Sequence, residues 1–150
     1  MSDGIKIITD NPKAFHNYFI DERVEAGLIL TGTEVKSLRQ GKANLRDAYA
    51  VFKGRELFLI NAHISPYAMG NRENHEPLRT RKLLLHRSEL DKLWGRTEVR
   101  GCSLIPLKLY FKKGLAKVEL GVGRGKKLHD KRAATKEREE RRKMERIKKR

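Results

Sequence analysis

The side chains best suited to chemistry in this sequence are cations and flat rings, and they are concentrated in three segments. They are Lys36, Arg39, Lys42 and Arg46 in 34–46, Arg79, Arg81, Lys82 and His86 in 78–87, and the stretch GKKLHDKR at 125–132. Cations of this kind bind phosphate groups, and His, Tyr and Arg planes can stack on unpaired bases. A solvated basic surface explains any single lysine as well, but the whole set favours nucleic-acid binding.

The net charge supports the same class of partner. The 150 residues carry a formal charge of +16, and residues 124–150 contribute +9 of it. The segment 1–123 is also basic, at +7, but its charge per residue is far lower. Such a balance predicts a polyanionic partner, either a nucleic acid or an anionic membrane surface.

Motifs for catalysis or metal binding are weak. The glycine-rich run GVGRGKK (121–127) has three residues between Gly121 and Gly125 where a phosphate loop needs four, and Lys127 stands where that loop has Ser or Thr. We expect this run to be a flexible exit from the last strand. The histidines and Cys102 lack zinc-ligand spacing, and no serine lies in a nucleophile elbow. We therefore expect no enzyme, metal or cofactor.

Two single residues allow a functional interpretation beside an ordinary one. Glu25 is either a solvated strand residue or, in a polyanion binder, an acceptor for base N–H or ribose 2′-OH groups. His129 is either merely exposed or a plane that stacks on a base, since cations flank it in 125–132.

The elements that must position these residues are mostly strands. Alternating apolar residues predict a strand over 18–30, a hairpin over 48–64 that turns at Lys53-Gly54, a strand over 82–86, and a hairpin over 103–122 that turns at Lys113-Gly114. Pro106 predicts an edge or bulge in the last hairpin. Short helices are expected after Asn11-Pro12, from Thr33 to Gly41 and from Ser88 to Gly95. The loop 65–77 is long for a compact domain, so we expect it to be functional or disordered.

This pattern is mainly β and predicts a small antiparallel OB-like β-barrel with about three short helices over 1–123. A split β-sheet with packed helices is the alternative. The tail, 124–150, has too few apolar residues to offset the entropy of ordering, so we expect it to be disordered when free. Acid-before-base pairs four residues apart predict a helix once a polyanion neutralises its charge; they are Glu137/Arg141, Glu139/Lys143 and Glu145/Lys149.

The cellular compartment follows from what the chain lacks. Cys102 is the one cysteine, so no internal disulfide can form. The N-terminus has no long apolar run of a signal peptide, and no stretch reaches the length of a membrane span. We expect a cytoplasmic protein.

Seven blocks, in this order and spacing, resemble one bacterial family. They are GTEVKSLRQGKANL (32–45), HISPY (63–67), GN with NHEP (70–77), RTRKLLLHR (79–87), LIPLKLYF (104–111), VELGVGRGKK (118–127) and HDKR (129–132). The chain is similar to the SmpB family, the tmRNA-binding proteins of trans-translation, over about residues 6–142.

The resemblance implies an OB-like barrel that binds the tRNA-like domain of tmRNA. It also implies entry with tmRNA into the vacant A site of a stalled ribosome, with alanyl-tmRNA delivered by elongation factor Tu and GTP. Translation then resumes on the tmRNA reading frame and tags the nascent chain for degradation.

The family's functional residues carry over to two sets of positions. Those implied for tmRNA binding are Glu25, Leu84 and His86, with support from His16, Lys36, Arg39, Arg79 and Arg81. Those implied for the ribosome are Gly125, Lys126, Lys127, His129, Asp130, Lys131 and Arg132. The resemblance implies that His129 stacks on a decoding base of the small-subunit rRNA, and that 130–132 serve tagging rather than tmRNA affinity. The tail beyond them becomes a helix in the empty mRNA channel.

Two other classes of function stay open at this point. A generic basic rRNA- or tRNA-binding protein would bind any structured RNA with similar affinity. An RNA-processing enzyme would show turnover that one His or Glu substitution abolishes.

Overall fold

A computed structural model describes residues 4–70, 73–99 and 101–148 of the chain. These residues form nine strands and four helices. The strands are β1 (Ile5–Asp10), β2 (Tyr18–Leu28), β3 (Ala43–Asn44), β4 (Tyr49–Lys53), β5 (Glu56–Ile60), β6 (His63–Ile64), β7 (Arg81–Leu84), β8 (Cys102–Lys112) and β9 (Leu115–Gly125). The helices are α1 (Pro12–Asn17), α2 (Gly32–Arg39), α3 (Arg87–Thr97) and α4 (Leu128–Lys148).

Six antiparallel strands close into a barrel. The hydrogen-bonded order is β8-β4-β5-β7-β2-β9, and β9 pairs with β8 again, so that the sheet returns to its first strand. β1 pairs with residues 108–112 of β8, beyond the one pair that β8 makes with β4, and β3 pairs with β6 in a separate two-stranded sheet. The expected mainly-β barrel with three short helices is therefore confirmed, and both predicted hairpins form.

The core of the barrel is aliphatic. Inward side chains of neighbouring strands, such as Leu57, Leu83 and Leu120, are almost completely buried. Residues on either side of them along a strand face outward, as the period of two in the sequence requires. Burial of this layer fixes the register, because a slip by one residue would turn every leucine to solvent.

The glycine-rich run is strand, not a flexible exit. β9 continues to Gly125, and its glycines pair with β2 and β8. A Cβ on Gly121 would lie 3.0 Å from side-chain carbons of both Ile20 and Leu107. The glycines are thus needed for close packing against neighbouring side chains, which the sequence pattern alone does not reveal.

We predict opposite effects for the same substitution at two glycines. Gly121→Ala should lower the free energy of unfolding by about 1–3 kcal/mol, because the added methyl overpacks the site. Gly95→Ala should raise it by up to about 1 kcal/mol, since Gly95 is helical and nothing lies within 4 Å of its Cβ position. Urea unfolding of both variants measures the difference. Equal effects would contradict the packing explanation.

Three predicted helix boundaries are wrong. The N-cap of α2 is Thr31 rather than Thr33, because Thr31 and Glu34 form a reciprocal capping box. α3 starts after His86 rather than at Ser88, and it passes through Gly95 to Thr97. Gly95 does not end α3 because its backbone stays helical.

The basic tail forms one helix. α4 spans Leu128–Lys148, which differs from the expected disorder of the free tail and corresponds to the helical form expected on binding. Its first turn is fixed by a hydrogen bond from the Lys127 backbone N–H to the Asp130 carboxylate, 3.2 Å. Lys149, the expected partner of Glu145, lies outside the described residues. Within the described ranges, no helix is long and apolar enough to cross a membrane.

Candidate RNA-binding surfaces

The first candidate surface is the outer face of β2, β8 and β9. Glu25 lies on this face, and its carboxylate accepts a hydrogen bond from the Tyr110 hydroxyl. The Lys112 Nζ atom lies 3.4 Å from the same carboxylate. The hydrogen bond from Tyr110, together with Lys112, lowers the pKa of Glu25 below its ordinary value. Glu25 is therefore a half-exposed, ionised acceptor.

Cations surround this acceptor. Glu119, which is opposite Glu25 in the β2–β9 ladder, lies 3.3 Å from Arg23 and 3.7 Å from Lys108. Lys117 belongs to the next outward position of β9. Burial, followed by the hydrogen bond to Glu25, raises the pKa of Tyr110, so its hydroxyl remains a donor. The face therefore offers phosphate-binding cations around two neighbouring carboxylates, Glu25 and Glu119.

Leu84 and His86 border this face. Leu83 points into the core, whereas Leu84 is 51% exposed, so the strand alternates through the leucine run. Leu84 pairs with Gly27, two residues from Glu25 on β2. The exposed His86 follows as the N-cap of α3, where its N–H donates to Glu89. Leu84 therefore lies beside the β2 end of this surface, and His86 follows two residues later. We call the outer surface formed by Glu25, Tyr110, Lys112 and Glu119, with Leu84 and His86 at its border, the Glu25 face.

Arg81 does not belong to an RNA surface. Its side chain is completely buried and forms a salt bridge with Glu34, which is buried as well. It also donates to the Ala62 carbonyl at 2.7 Å. The expectation that Arg81 contacts tmRNA is therefore wrong, because its guanidinium is used inside the protein. No sequence signal separates it from the outward Arg79 two residues earlier.

Glu34 joins α2 to the barrel. It accepts hydrogen bonds from Arg79 at 2.6 Å, from the Thr31 backbone N–H at 2.8 Å, and from Arg81. Burial alone would raise the pKa of Glu34, but these donors outweigh it and lower the pKa to about 2. Arg79 also reaches the Ile29 carbonyl and is partly exposed. Glu34 was not among the residues expected to be functional, although its capping-box spacing from Thr31 could have indicated its position.

Lys36 and Arg39 lie on the exposed side of α2, beside the long loop. The Lys36 Nζ atom is 5.5 Å from the centre of the Tyr67 ring. His75 anchors the loop through contacts of 2.9 Å to the Thr33 hydroxyl and 2.8 Å to the Ile64 carbonyl. The described part of this loop is therefore held in place, with one cation stacked on a ring.

The root of the tail is bound to α1 and β2. Gly125 pairs with Tyr18 at the end of the β2–β9 ladder. The Lys126 backbone N–H donates to the Asn17 carbonyl at 2.8 Å. Its Nζ atom donates to the Phe15 carbonyl at 3.0 Å and lies 4.9 Å from the centre of the Phe19 ring. Lys126 therefore has contacts that fix where the tail leaves the barrel.

The tail helix packs against α1 through His16. The Arg138 guanidinium donates to the His16 Nδ1 atom at 2.7 Å, so His16 is an acceptor here. Lys131 and Arg132 line the same shallow groove as His16. His129 is the second residue of α4. Thus His16 lies with the tail and not with the Glu25 face, and RNA could use its Nδ1 atom only after Arg138 moves.

The two surfaces are separated along β9. Glu119 marks the Glu25 face and Gly125 the tail root, six residues apart on one strand, which is roughly 20 Å at the rise of a strand. Within the described parts of the chain, no group of three or more potential metal ligands occurs. The arrangement is suited to binding two RNA segments at different places.

Comparisons with known proteins agree over nearly the whole chain. Residues 8–150 match the SmpB protein family. The chain is 59% identical over 141 residues to an SsrA-binding protein of Geobacter sulfurreducens, covering 94% of this chain and 92% of the relative. It is 61% identical over 143 residues to one of Syntrophotalea carbinolica, covering 95% of each.

A solved structure described as "tmRNA-SmpB: a journey to the center of the bacterial ribosome" contains a similar chain, with a TM-score of 0.70 and 48% identity over 85% of this chain and 93% of that one. The family match covers both the barrel sequence and the tail. The chain therefore belongs to the SmpB family.

Proposed function

We propose that this protein binds the tRNA-like domain of tmRNA and brings it to stalled ribosomes for trans-translation. The relatives are named for binding SsrA, and the solved structure is of tmRNA with SmpB in the ribosome. The observation that carries the proposal is the presence, on one barrel, of two separate basic surfaces. A bridging protein needs two such surfaces, whereas a generic RNA binder needs one.

The barrel, residues 1–123 with the two further residues of β9, holds tmRNA in this proposal. Glu25 accepts N–H or 2′-OH groups of the RNA, while Leu84 and His86 provide an apolar contact and a stacking plane. Lys36, Arg39 and the exposed part of Arg79 bind phosphates from the α2 side. Arg81 acts only by holding α2 against β7.

The tail, residues 124–150, addresses the ribosome. Gly125, Lys126 and Lys127 set its direction, and His129 stacks on a decoding base of the small-subunit rRNA. Asp130 starts the helix, and Lys131 and Arg132 bind rRNA phosphates and are required for tagging. The rest of α4 lies in the empty mRNA channel, so mRNA in that channel excludes it.

Further parts of the proposal concern the cell and the partners. The protein works in the cytoplasm as an RNA-binding protein and not as an enzyme, and it needs no cofactor. It acts with elongation factor Tu and GTP through alanyl-tmRNA. The generic rRNA- or tRNA-binding alternative would bind elongator tRNA as tightly as tmRNA.

A substitution on the Glu25 face tests the proposal. Glu25→Gln should weaken binding to the tRNA-like domain of tmRNA by about tenfold or more, because the substitution removes a charge-assisted hydrogen bond from the interface. Filter binding of labelled RNA gives the dissociation constants, and binding to elongator tRNA should remain weak.

The matched control is Glu56→Gln, an exposed carboxylate that pairs with Lys82 on another part of the barrel. It removes the same charge and should leave the affinity unchanged. If both variants bind tmRNA more tightly because the protein has become more basic, the Glu25 face is not the recognition surface and electrostatic attraction alone controls binding.

A further inference from the structure

At one seam the barrel is closed by a single pair of strand residues, and β1 pairs with the following part of β8. β8 pairs with β9 along its whole length but with β4 only at Ala50↔Leu104. Next to this pair, a groove of about 600 Å³ lies between α1 and the C-terminal end of α3. Its volume lies within the range typical of ligand pockets. Neither the Glu25 face nor α4 contributes to its lining.

Rings and cations line this groove. Tyr49 and Trp94 are 42% and 46% exposed, and both border it together with Tyr18. Trp94 is held by an edge-to-face contact with Phe52, with 5.2 Å between the ring centres. Two half-exposed aromatic rings in a concave site are suited to stacking on a flat ligand that has polar groups at its edge. Stacking is more effective when the protein ring is held in place, as that of Trp94 is.

The charges of the groove favour an anion. Lys13 and Arg46 lie at its rim, and neither forms an ion pair with any residue in the described ranges. Asp47 is the one acidic residue of the lining, so cations exceed acids two to one. Free cations beside exposed rings match a nucleotide, whose phosphate and base need these two partners.

The position of the groove indicates which RNA it faces. Asn17 lines it, and the Asn17 carbonyl accepts the Lys126 backbone N–H at 2.8 Å. The groove therefore adjoins the root of the tail, while the Glu25 face lies toward the other end of β9. A ligand in the groove would therefore lie beside the root of the tail.

We propose that the seam groove binds one unpaired nucleotide of the small-subunit rRNA, with its base stacked on Tyr49 or Trp94 and its phosphate bound by Lys13 and Arg46. The choice of rRNA rests on the proposed function, whereas nucleotide binding by the groove does not. This contact would orient the barrel on the ribosome independently of the tail.

The chain has a single tryptophan, which makes the groove measurable. Single-stranded oligoadenylate of six nucleotides should quench Trp94 fluorescence in the full-length protein, and an RNA duplex of equal length should not. Tyr49→Ala and Arg46→Glu should each weaken the fitted affinity by about fivefold or more. Tyr49→Phe should retain it, since the ring remains.

The control for charge is the variant Arg55→Glu, since Arg55 is exposed and lies in the β4–β5 turn, at the far end of β4. Oligoadenylate should quench the Trp94 fluorescence of this variant as strongly as that of the parent protein. Quenching that is absent, or that is unchanged in Tyr49→Ala and Arg46→Glu, would overturn the nucleotide site.

A second arm identifies the source of the nucleotide. Tyr49→Ala should weaken binding to isolated small ribosomal subunits while leaving the affinity for the tRNA-like domain unchanged. The reverse pattern would assign the groove to tmRNA and overturn the rRNA assignment. If the proposed function is wrong, the result would be different. The parent protein would then bind tmRNA no more tightly than other RNA, while oligoadenylate would still quench its Trp94 fluorescence.

Discussion

Glu34→Gln is expected to lower the free energy of unfolding at pH 7 by about 3–5 kcal/mol, the effect of removing one partner from a buried ion pair. The substitution leaves the completely buried guanidinium of Arg81 without its carboxylate. It also removes the ion pair with Arg79. Urea unfolding followed by circular dichroism measures the decrease.

Glu89→Gln is the matched control. Glu89 occupies the same third position of a helix and accepts the N–H of its N-cap, His86, at 3.2 Å, but none of the described salt bridges involves it. Because glutamine also serves in a capping box, its effect should stay below about 1 kcal/mol. Similar decreases in both variants would show that capping, and not the buried ion pairs, holds α2.

The same carboxylate makes stability depend on pH. The pKa of Glu34 is about 2 in the folded protein against an ordinary value of 4.5. Its contribution is therefore complete above the unfolded pKa and is lost as the pH falls from about 4.5 toward 2. The free energy of unfolding should fall less steeply over this range in Glu34→Gln than in the parent protein.

The second large effect concerns tagging. Replacing both Lys131 and Arg132 with alanine should reduce tagging on stalled ribosomes. Each charge-assisted interaction with a phosphate that the substitution removes should lower tagging by about tenfold. Affinity for the tRNA-like domain of tmRNA should change little, because both residues lie on α4, away from the Glu25 face. Tagging of a nascent chain on an mRNA without a stop codon measures the first quantity, and filter binding measures the second.

Arg142→Ala with Lys143→Ala is the control, since it removes the same charge from an exposed later turn of α4. It should reduce tagging less than the first pair. Equal reduction in both pairs would mean that only the net charge of the tail matters, and a parallel decrease in tmRNA affinity would contradict separate surfaces.

Asp130 has a physical role that the motif alone does not explain. Its carboxylate accepts the Lys127 N–H and thereby starts α4 directly after β9. The family resemblance implies that this residue serves tagging. A helix start fixed at this point would place Lys131 and Arg132 in a constant direction from the barrel.

Much of the fold followed from the period-two pattern, but some elements did not. β2 and the two hairpins were predictable because one face of each strand is apolar and buried. The sequence pattern did not predict β1, because Ile5 and Ile7 are 40% and 53% exposed and the strand supplies little of the core while it pairs with residues 108–112 of β8. Its pairing depends on backbone hydrogen bonds to a strand near the other end of the barrel sequence, which no local pattern encodes.

The functional surface was predictable only in part. Charge and ring content identified the segments, but Arg79 and Arg81 look equivalent in sequence and differ completely in burial. For Leu84 the sequence misleads in the other direction, since an apolar run predicts core while the alternation turns this side chain to solvent. The seam groove brings Lys13, Arg46 and Trp94 together from three separate segments, so it could be found only in three dimensions.

The most direct test of the division between barrel and tail uses residues 1–127, which keep all of β9 and the Lys126 contact to Asn17. Its binding to the tRNA-like domain of tmRNA and to elongator tRNA would be measured at two salt concentrations and compared with the full chain. We predict that the shortened chain still prefers tmRNA, with a weaker dependence of affinity on salt because fewer cations remain. Loss of tmRNA binding, or equal competition by elongator tRNA, would contradict the account and support a generic basic RNA-binding protein.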